Sequence, residues 1–140
     1  MLQGELLKTE NEFRMDKKII TTQSAPAPIG PYSQAVQAGS LLFISGQIAI
    51  DPATGDLDAS DIAAETHRVM KNLQAILNEA QMDFNSVVKT TIFLSDMSLF
   101  TAVNEIYSSY LTGDFPARET VAVKGLPKNV NVEISMIAAR

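Results

Sequence analysis

Two segments of the chain place apolar residues three and four positions apart, which is the pattern of an amphipathic helix. The first covers residues 61–81, and the second begins at Asp96 or Ser98 and ends at Gly113. His67 falls on the polar side of the first pattern, so we expect it to face water and to have no catalytic role. The pattern therefore predicts two helices, each with one apolar face.

Strand patterns occupy most of the remaining sequence. β-Branched runs predict strands at 17–22 and 87–95, and alternation on both sides of a Gly-Ser turn predicts a hairpin over 34–50. Residues 115–140 contain two more alternating runs with a Gly-Leu-Pro break between them. This order predicts an α+β fold with two helices on one face of a mixed sheet. Because the other face stays uncovered within one chain, we expect copies of the chain to associate through it.

The last two strands place an arginine on one segment and a glutamate on the next. Arg118 opens the first of them. In the second, Val132 and Ile134 lie on the apolar face, and Glu133 lies on the opposite face. We expect the two strands to be neighbours joined by a tight connection, which sets a guanidinium beside a carboxylate. This stretch alone leaves two alternatives open: a surface ion pair, which is the commoner one, and a site that binds a carboxylate ligand beside a carboxylate base.

Three other features interrupt the regular pattern, and each has a structural and a functional interpretation. Tyr32 follows a loop rich in proline, so its ring is fixed either over a core edge or toward a ligand. The triplet Ser45-Gly46-Gln47 breaks an apolar strand, either as a bulge without function or as a place where another group approaches the backbone. Asn104 lies at the edge of an apolar helical stripe, where it caps a backbone group or faces a ligand.

Composition narrows the chemistry. The chain has 140 residues, 46% of them apolar, which fits one domain with a substantial core. It has no cysteine and one histidine, so thiolate chemistry is excluded, a histidine-based metal site or Ser-His-Asp triad is disfavoured, and no metal is expected. The net charge of −5 and the lack of a long basic run disfavour binding to nucleic acid.

The beginning of the chain differs from the rest. Residues 1–16 mix both charge signs and lack an apolar stretch, so we expect a flexible N-terminal extension there and a single folded domain over 17–140. The most apolar run, residues 41–50, is about half as long as a membrane span. We therefore expect a cytoplasmic protein without a membrane partner.

Six short motifs follow one another along residues 17–140. They are IGPYSQA at 29–35, ISGQI at 44–48, VVKTTIFLSDM at 87–97, FTAVNEIY at 100–107, FPARETV at 115–121 and LPKNVNVEI at 126–134. Together they resemble the Rid family, whose members are small deaminases of reactive enamines and imines. The same family is also catalogued as endoribonuclease L-PSP or translation-inhibitor proteins.

The resemblance implies a chorismate-mutase-like fold assembled as a homotrimer, in which the sheets form a central β-barrel and three clefts lie between neighbouring subunits. It also implies 2-iminobutanoate/2-iminopropanoate deaminase activity, in which water hydrolyses the C=N bond of a 2-imino acid to give a 2-oxo acid and ammonia. The expected partners are small 2-imino acids, and no cofactor is expected.

The resemblance also assigns site residues within these motifs. Catalytic roles fall to Arg118, Glu133, Tyr32 and Ser45. Substrate contacts fall to Arg118, Gly46, Phe100, Asn104 and Thr120. In this scheme the guanidinium orients the substrate carboxylate and the glutamate deprotonates the attacking water. Position 120 is often cysteine in the family, and because a main-chain contact is expected there, threonine leaves the expectation unchanged.

Three alternatives to the deaminase stay open. A trimer with the same arginine-lined clefts could bind small acids without turnover, and release of ammonia from freshly generated iminobutanoate distinguishes the two. An endoribonuclease would agree with the older family name, but the acidic charge and the lack of clustered aromatic residues count against it. A holdase-like chaperone is neither supported nor opposed by the sequence.

Overall fold

The computed structural model describes residues 16–140, so all but the last residue of the expected extension at 1–16 lies outside the described residues. Within the described range the chain forms six strands and two helices in the predicted order. They are β1 (Lys17–Ile20), β2 (Ala35–Ala38), β3 (Leu41–Gln47), α1 (Ile62–Glu79), β4 (Val87–Leu94), α2 (Phe100–Ser109), β5 (Ala117–Ala122) and β6 (Val132–Ala139).

The six strands form one mixed sheet in the order β1-β2-β3-β6-β4-β5. Neighbouring strands are antiparallel except for β4 and β5, which are parallel because α2 connects them as a βαβ unit. Both helices pack on the same face of the sheet, and the apolar core lies between them and the strands. The predicted α+β fold, with two helices on one face of a mixed sheet, is confirmed.

The start of each helix depends on an aspartate. Asp61 accepts a hydrogen bond from the N–H of Ala64 at 2.7 Å and caps α1. Asp96 accepts one from the N–H of Ser98, also at 2.7 Å, and begins a short 3₁₀ turn that leads into α2. The predicted stop of the second helix is wrong, because α2 ends at Ser109, one turn before the expected glycine. Neither of these helices is long and apolar enough to cross a membrane.

The prediction that the strands of Arg118 and Glu133 are neighbours is wrong. After β4, helix α2 returns the chain to the outer edge of that strand, so β5 takes the edge and β6 enters between β3 and β4. The connection from β5 to β6 spans residues 123–131, which is too long for a tight hairpin turn. The Gly-Leu-Pro break indicates a turn in the chain but does not specify which edge the next strand joins.

The prediction that His67 faces water is also wrong. Its ring lies against the end of α2, with Nδ1 2.7 Å from the hydroxyl oxygen of Tyr110 and 5.7 Å between the ring centroids. The helical pattern of α1 could not reveal this contact, because the residue that covers His67 belongs to a different element.

The face of the sheet away from the helices is uncovered, as predicted. Phe43 and Val121 are each 44% exposed on this face. A polar cluster lies among them, in which one carboxylate oxygen of Glu119 lies 2.7 Å from Nζ of Lys89 and the other accepts a hydrogen bond from Thr91 at 2.7 Å. The uncovered face therefore combines exposed apolar side chains with a charge cluster that is paired internally.

Candidate active site

The guanidinium of Arg118 is exposed at the outer edge of the sheet but has a fixed direction. Its Nη1 donates a hydrogen bond to Oδ1 of Asn104 at 2.7 Å. Its Cζ lies 5.2 Å from the ring centroid of Tyr107 and 5.7 Å from that of Phe100, within the range of a cation–π contact. Among residues 16–140 no carboxylate pairs with it. The guanidinium is thus oriented and retains free donors for an anion.

The direction of Arg118 depends on how α2 packs on β4. Tyr107 is buried, and its hydroxyl donates to Oγ1 of Thr90 at 2.9 Å. Thr90 is also the register partner of Arg118, so the helix residue and the strand residue that support the guanidinium are bonded to each other. Burial raises the pKa of the Tyr107 hydroxyl, which keeps it a neutral donor.

A cavity of about 430 Å³ opens beside Arg118. Its walls come from α2 and from the segment that enters β5, and they are Asn104, Tyr107, Ser108, Leu111, Phe115, Pro116 and Arg118. The cavity combines a single cation with aromatic and aliphatic surface. Such a combination suits a small organic acid, whose carboxylate meets the cation while its carbon chain meets the apolar wall.

Thr120 lies two residues after Arg118 on the same face of β5. Its Oγ1 is buried and has no hydrogen-bond partner among the described residues, so the hydroxyl does not face the cavity. The N–H of Val123 donates to the carbonyl of Leu94 on β4. Because N–H directions alternate along a strand, the N–H of Thr120 points away from β4, toward the free edge of the sheet. A main-chain donor is therefore available beside Arg118.

Glu133 lies on the uncovered face of the sheet, against a bulge in β3. The pairing of β3 with β6 shifts between Ile44 and Gln47, so Ser45 and Gly46 form the bulge that the sequence suggested. A Cβ on Gly46 would lie 2.9 Å from Cδ and 3.0 Å from Oε2 of Glu133, closer than side-chain carbons approach. The bulge and a close approach thus occur at the same glycine, and the approaching group is a carboxylate.

The carboxyl of Glu133 is half-buried, and burial raises its pKa above the ordinary value of 4.5. A second cavity, of about 190 Å³, lies over it, and its mainly apolar walls include Tyr32, Gly46 and Pro127. A carboxyl in such surroundings is a better base near neutral pH than an exposed one, because its conjugate acid is weaker. No group of three or more metal-ligating side chains comes together within the described part of the chain.

Tyr32 is half-exposed and is oriented by its own loop. Its hydroxyl oxygen accepts a hydrogen bond from the N–H of Ile29 at 3.3 Å, which leaves the hydroxyl proton free to be donated. Oγ of Ser45 donates to the carbonyl oxygen of Ser33 at 2.6 Å, one residue after the tyrosine. Ser45 therefore joins the loop of Tyr32 to the bulge of β3, next to Glu133.

Two residues that build the site were not singled out from the sequence. Gln34 is buried under the proline-rich loop, and its amide bonds the main chain of that loop four times, at Thr22 N and O, Ala25 O and Pro26 O. Tyr107 supports Arg118 from within an apolar helical stripe. The available signal was weak in both cases: an amide directly after an irregular loop, and a tyrosine two helical turns after Phe100 and one after Val103.

The site residues form two groups that do not meet within one chain. Arg118 pairs in register with Thr90, whereas Glu133 pairs with Phe93, three residues along β4, so the two side chains lie on opposite faces of the sheet. Their Cα atoms are about 14 Å apart, given two strand spacings and three residues of rise. We call Phe100, Asn104, Tyr107, Arg118 and Thr120 the arginine half-site. We call Tyr32, Ser45, Gly46 and Glu133 the glutamate half-site.

Comparison with known proteins identifies the family of this chain. A family model described as Endoribonuclease L-PSP matches residues 22–140. The chain is a member of the Rid family. A Rid protein from Yersinia pestis is 47% identical and superposes with a TM-score of 0.87, covering 89% of this chain and 100% of that one.

Two further Rid relatives bear on ligands and activity. TdcF of Escherichia coli, whose structure contains bound serine, is 39% identical with a TM-score of 0.84, covering 88% of this chain and 98% of that one. The 2-iminobutanoate/2-iminopropanoate deaminase of Mus musculus is 48% identical over 124 residues, which are 89% of this chain and 92% of the mouse protein. The resemblance to the Rid family is therefore confirmed, and the family model covers residues 22–140.

Proposed function

We propose that the chain is a hydrolytic deaminase of 2-imino acids, such as 2-iminobutanoate and 2-iminopropanoate, and that it works as a homotrimer. One observation carries the proposal: the arginine half-site and the glutamate half-site lie on opposite faces of one sheet, each beside an open cavity. A substrate of three or four carbons cannot span the distance between them in one chain. A cleft in which each of two subunits supplies one half-site brings the anchor and the base together.

The uncovered face of the sheet supports this assembly. Phe43 and Val121 expose apolar surface there, and three such faces closed into a barrel would remove that surface from water. The free edge of β5, which carries Arg118, then lies against a neighbouring subunit. This assembly is the chorismate-mutase-like trimer with a central β-barrel that the Rid resemblance implies.

In this cleft the arginine half-site binds the substrate carboxylate. A guanidinium matches a carboxylate with two parallel, charge-assisted hydrogen bonds, and Arg118 already has its direction fixed by Asn104. The outward N–H of Thr120 supplies a further donor, and the ring of Phe100 closes one side. Holding the planar imine by one end supplies much of the rate, because C2 is already electrophilic and needs a well-placed water molecule.

The glutamate half-site moves the protons. Glu133 takes a proton from water and delivers it to the imine nitrogen while the C2–O bond forms, which gives a carbinolamine. It then takes the proton of the new hydroxyl and delivers it to the amine nitrogen, the C–N bond breaks, and the 2-oxo acid and ammonia leave. The free hydroxyl proton of Tyr32 is donated to the water or the nitrogen. Ser45 acts through Ser33 by fixing the loop of the tyrosine.

Mixed trimers test the shared cleft. Arg118→Ala removes the anchor and Glu133→Gln removes the base, so each variant alone is expected to be inactive. When the two are co-expressed in equal amounts, about one quarter of the clefts combine an intact Arg118 from one subunit with an intact Glu133 from the next. We expect about one quarter of the wild-type rate of ammonia release from freshly generated 2-iminobutanoate.

The matched control is Arg118→Ala co-expressed with the double variant Arg118→Ala/Glu133→Gln, which provides no intact cleft and should stay inactive. No recovery in the first mixture contradicts the shared cleft. A wild-type trimer that leaves the rate of ammonia release unchanged contradicts the deaminase itself.

Binding of small acids without turnover is the second candidate, and the serine bound to TdcF favours it. Wild-type protein that binds 2-oxobutanoate in calorimetry but does not accelerate imine hydrolysis would decide for it. The RNA cleavage named in the family description is tested with the same variants. Cleavage that persists in both Arg118→Ala and Glu133→Gln does not belong to this cleft.

A further inference from the structure

One buried ionisable group has no part in the chemistry proposed above. Glu65, in the first turn of α1, is completely buried, and its carboxylate accepts three hydrogen bonds. Oε2 accepts from the N–H of Asn131 at 2.7 Å and from the N–H of Val132 at 3.0 Å. Oε1 accepts from Nδ2 of Asn131 at 3.0 Å. A buried carboxylate with this many donors is bonded to the start of β6 and to nothing else among the described residues.

The residue that Glu65 binds is also bonded to the end of β4. The N–H of Ser95 donates to the carbonyl oxygen of Asn131 at 2.9 Å, and Oγ of Ser95 donates to Oδ1 of Asn131 at 3.0 Å. Helix α1, the end of β4 and the start of β6 are therefore joined at one position. That position is two residues before Glu133.

The segment on the other side of Asn131 forms a wall of the glutamate half-site. Pro127 lines the cavity over Glu133, and it begins a turn in which Lys128 and Asn129 have φ values of +55° and +54°. Non-glycine residues in this region are held there by their surroundings. Asn131 lies between this turn and Glu133, and its hydrogen bonds hold the chain there. We therefore expect a change at Asn131 to displace both the turn and Glu133.

We infer that Glu65 is a positioning residue, which fixes Glu133 and the Pro127 wall of the cleft by binding the main chain at Asn131 and Val132. The inference rests on the proposed role of Glu133. Glu65 does not touch the substrate, because it lies on the helix side of the sheet while Glu133 points to the opposite face.

A glutamine at position 65 tests this at constant size. Its single carbonyl oxygen can still accept from the two main-chain N–H groups, but without a negative charge. Its amide nitrogen then faces Nδ2 of Asn131, donor against donor. Asn131 relieves this by turning its amide, after which its Oδ1 accepts from the glutamine and its Nδ2 donates to Oγ of Ser95, the reverse of the original bond. The N–H groups of Asn131 and Val132 still lose a charged acceptor, so the start of β6 loosens in Glu65→Gln although little volume changes.

The experiment compares wild-type protein, Glu65→Gln, Asn131→Ala and, as the matched control, Glu79→Gln, which removes an exposed carboxylate at the other end of α1. Steady-state kinetics give kcat and KM over a range of pH, and carbon-detected NMR follows the titration of the Glu133 carboxyl, assigned with Glu133→Gln. Asn131 is exposed, so its variant is informative even where Glu65→Gln does not fold.

We expect Glu65→Gln to lower kcat by about 10- to 100-fold, with KM within about twofold, because the anchor is on the other subunit. The Glu133 titration should shift toward the ordinary glutamate range in Glu65→Gln, and less so in Asn131→Ala, as water enters beside a loosened wall. Glu79→Gln should match the wild type.

A Glu133 titration that coincides with wild type in both Glu65→Gln and Asn131→Ala overturns the inference, even where stability or overall activity falls. The NMR measurement needs no turnover. A wild-type protein without deaminase activity therefore overturns the proposed function only. The NMR titration still tests whether Glu65 positions the carboxyl of Glu133.

Discussion

The two half-sites are built in different ways although both hold one charged group. Arg118 lies on the edge strand β5, is exposed, and receives its direction from side chains of α2. Glu133 lies on the interior strand β6, is half-buried, and faces the backbone of a bulge where any Cβ would displace its carboxylate.

The difference matches what each group needs. A guanidinium keeps its charge at any ordinary pH, so it requires only a direction and an open approach for the ligand. A carboxylate base requires a pKa closer to neutrality, which exposure to water would return to its usual value. The fold therefore places the anchor at an exposed edge and the base in an enclosed, mainly apolar recess. Each prediction below disturbs one half-site and leaves the other unchanged.

The largest effect is expected from Glu133→Gln, which removes the base without changing its size. We expect kcat for 2-iminobutanoate hydrolysis to fall by about 100- to 10,000-fold, the usual range for a general acid–base group. In the wild type, kcat/KM should fall as the pH drops through the raised pKa of Glu133, at a pH above 4.5. This acid limb should be absent from the residual activity of the variant.

The same substitution gives a stability signal of known sign. Burial raises the pKa of Glu133 in the folded state, so the folded protein binds more protons than the unfolded chain at pH values between the two pKa values. The contribution of the glutamate to stability is fully present below 4.5 and is lost as the pH rises through the folded pKa. Thermal denaturation should show Glu133→Gln slightly more stable relative to wild type at pH 7 than at pH 4. An unchanged difference would contradict the burial argument.

A smaller loss is expected from Arg118→Lys, which keeps the positive charge but removes the planar pair of donors. We expect kcat/KM to fall by about 100-fold, because a point charge no longer fixes the orientation of the imine carbon. The oligomeric state measured by light scattering should not change. Arg68→Lys is the matched control, since Arg68 forms only a 3.5 Å contact with the partly exposed Asp58. Equal losses in both variants would mean that the effect is not specific to the cleft.

The sequence predicted the fold well because its signals are local. The apolar spacing of α1, the β-branched run of β4 and the alternation in β6 each follow from a period of 3.6 or 2, and the structure confirms all three elements. The bulge at Gly46 was also visible, since glycine and polar neighbours interrupt an apolar strand.

The candidate site was predictable as a set of residues but not as an arrangement. Arg118 and Glu133 are close in sequence, yet the crossover through α2 places β4 between their strands and puts them on opposite faces. The buried Glu65 gave no signal either, because the donors that satisfy it belong to a segment more than sixty residues away. Local patterns specify elements, whereas these contacts depend on which edge each strand joins.

The smallest effect is expected from Gly46→Ala, and it separates the two half-sites most sharply. The added Cβ would lie 2.9 Å from Cδ of Glu133, so the carboxylate must move, whereas Arg118 on the far side of β4 is unaffected. We expect kcat to fall by about tenfold with KM nearly unchanged, since the base is displaced and the anchor is not. Gly125→Ala is the control, because a Cβ there meets no atom within 4 Å. A raised KM with an unchanged kcat would instead mean that this glycine makes room for the substrate, and that the enclosed recess is part of the anchor.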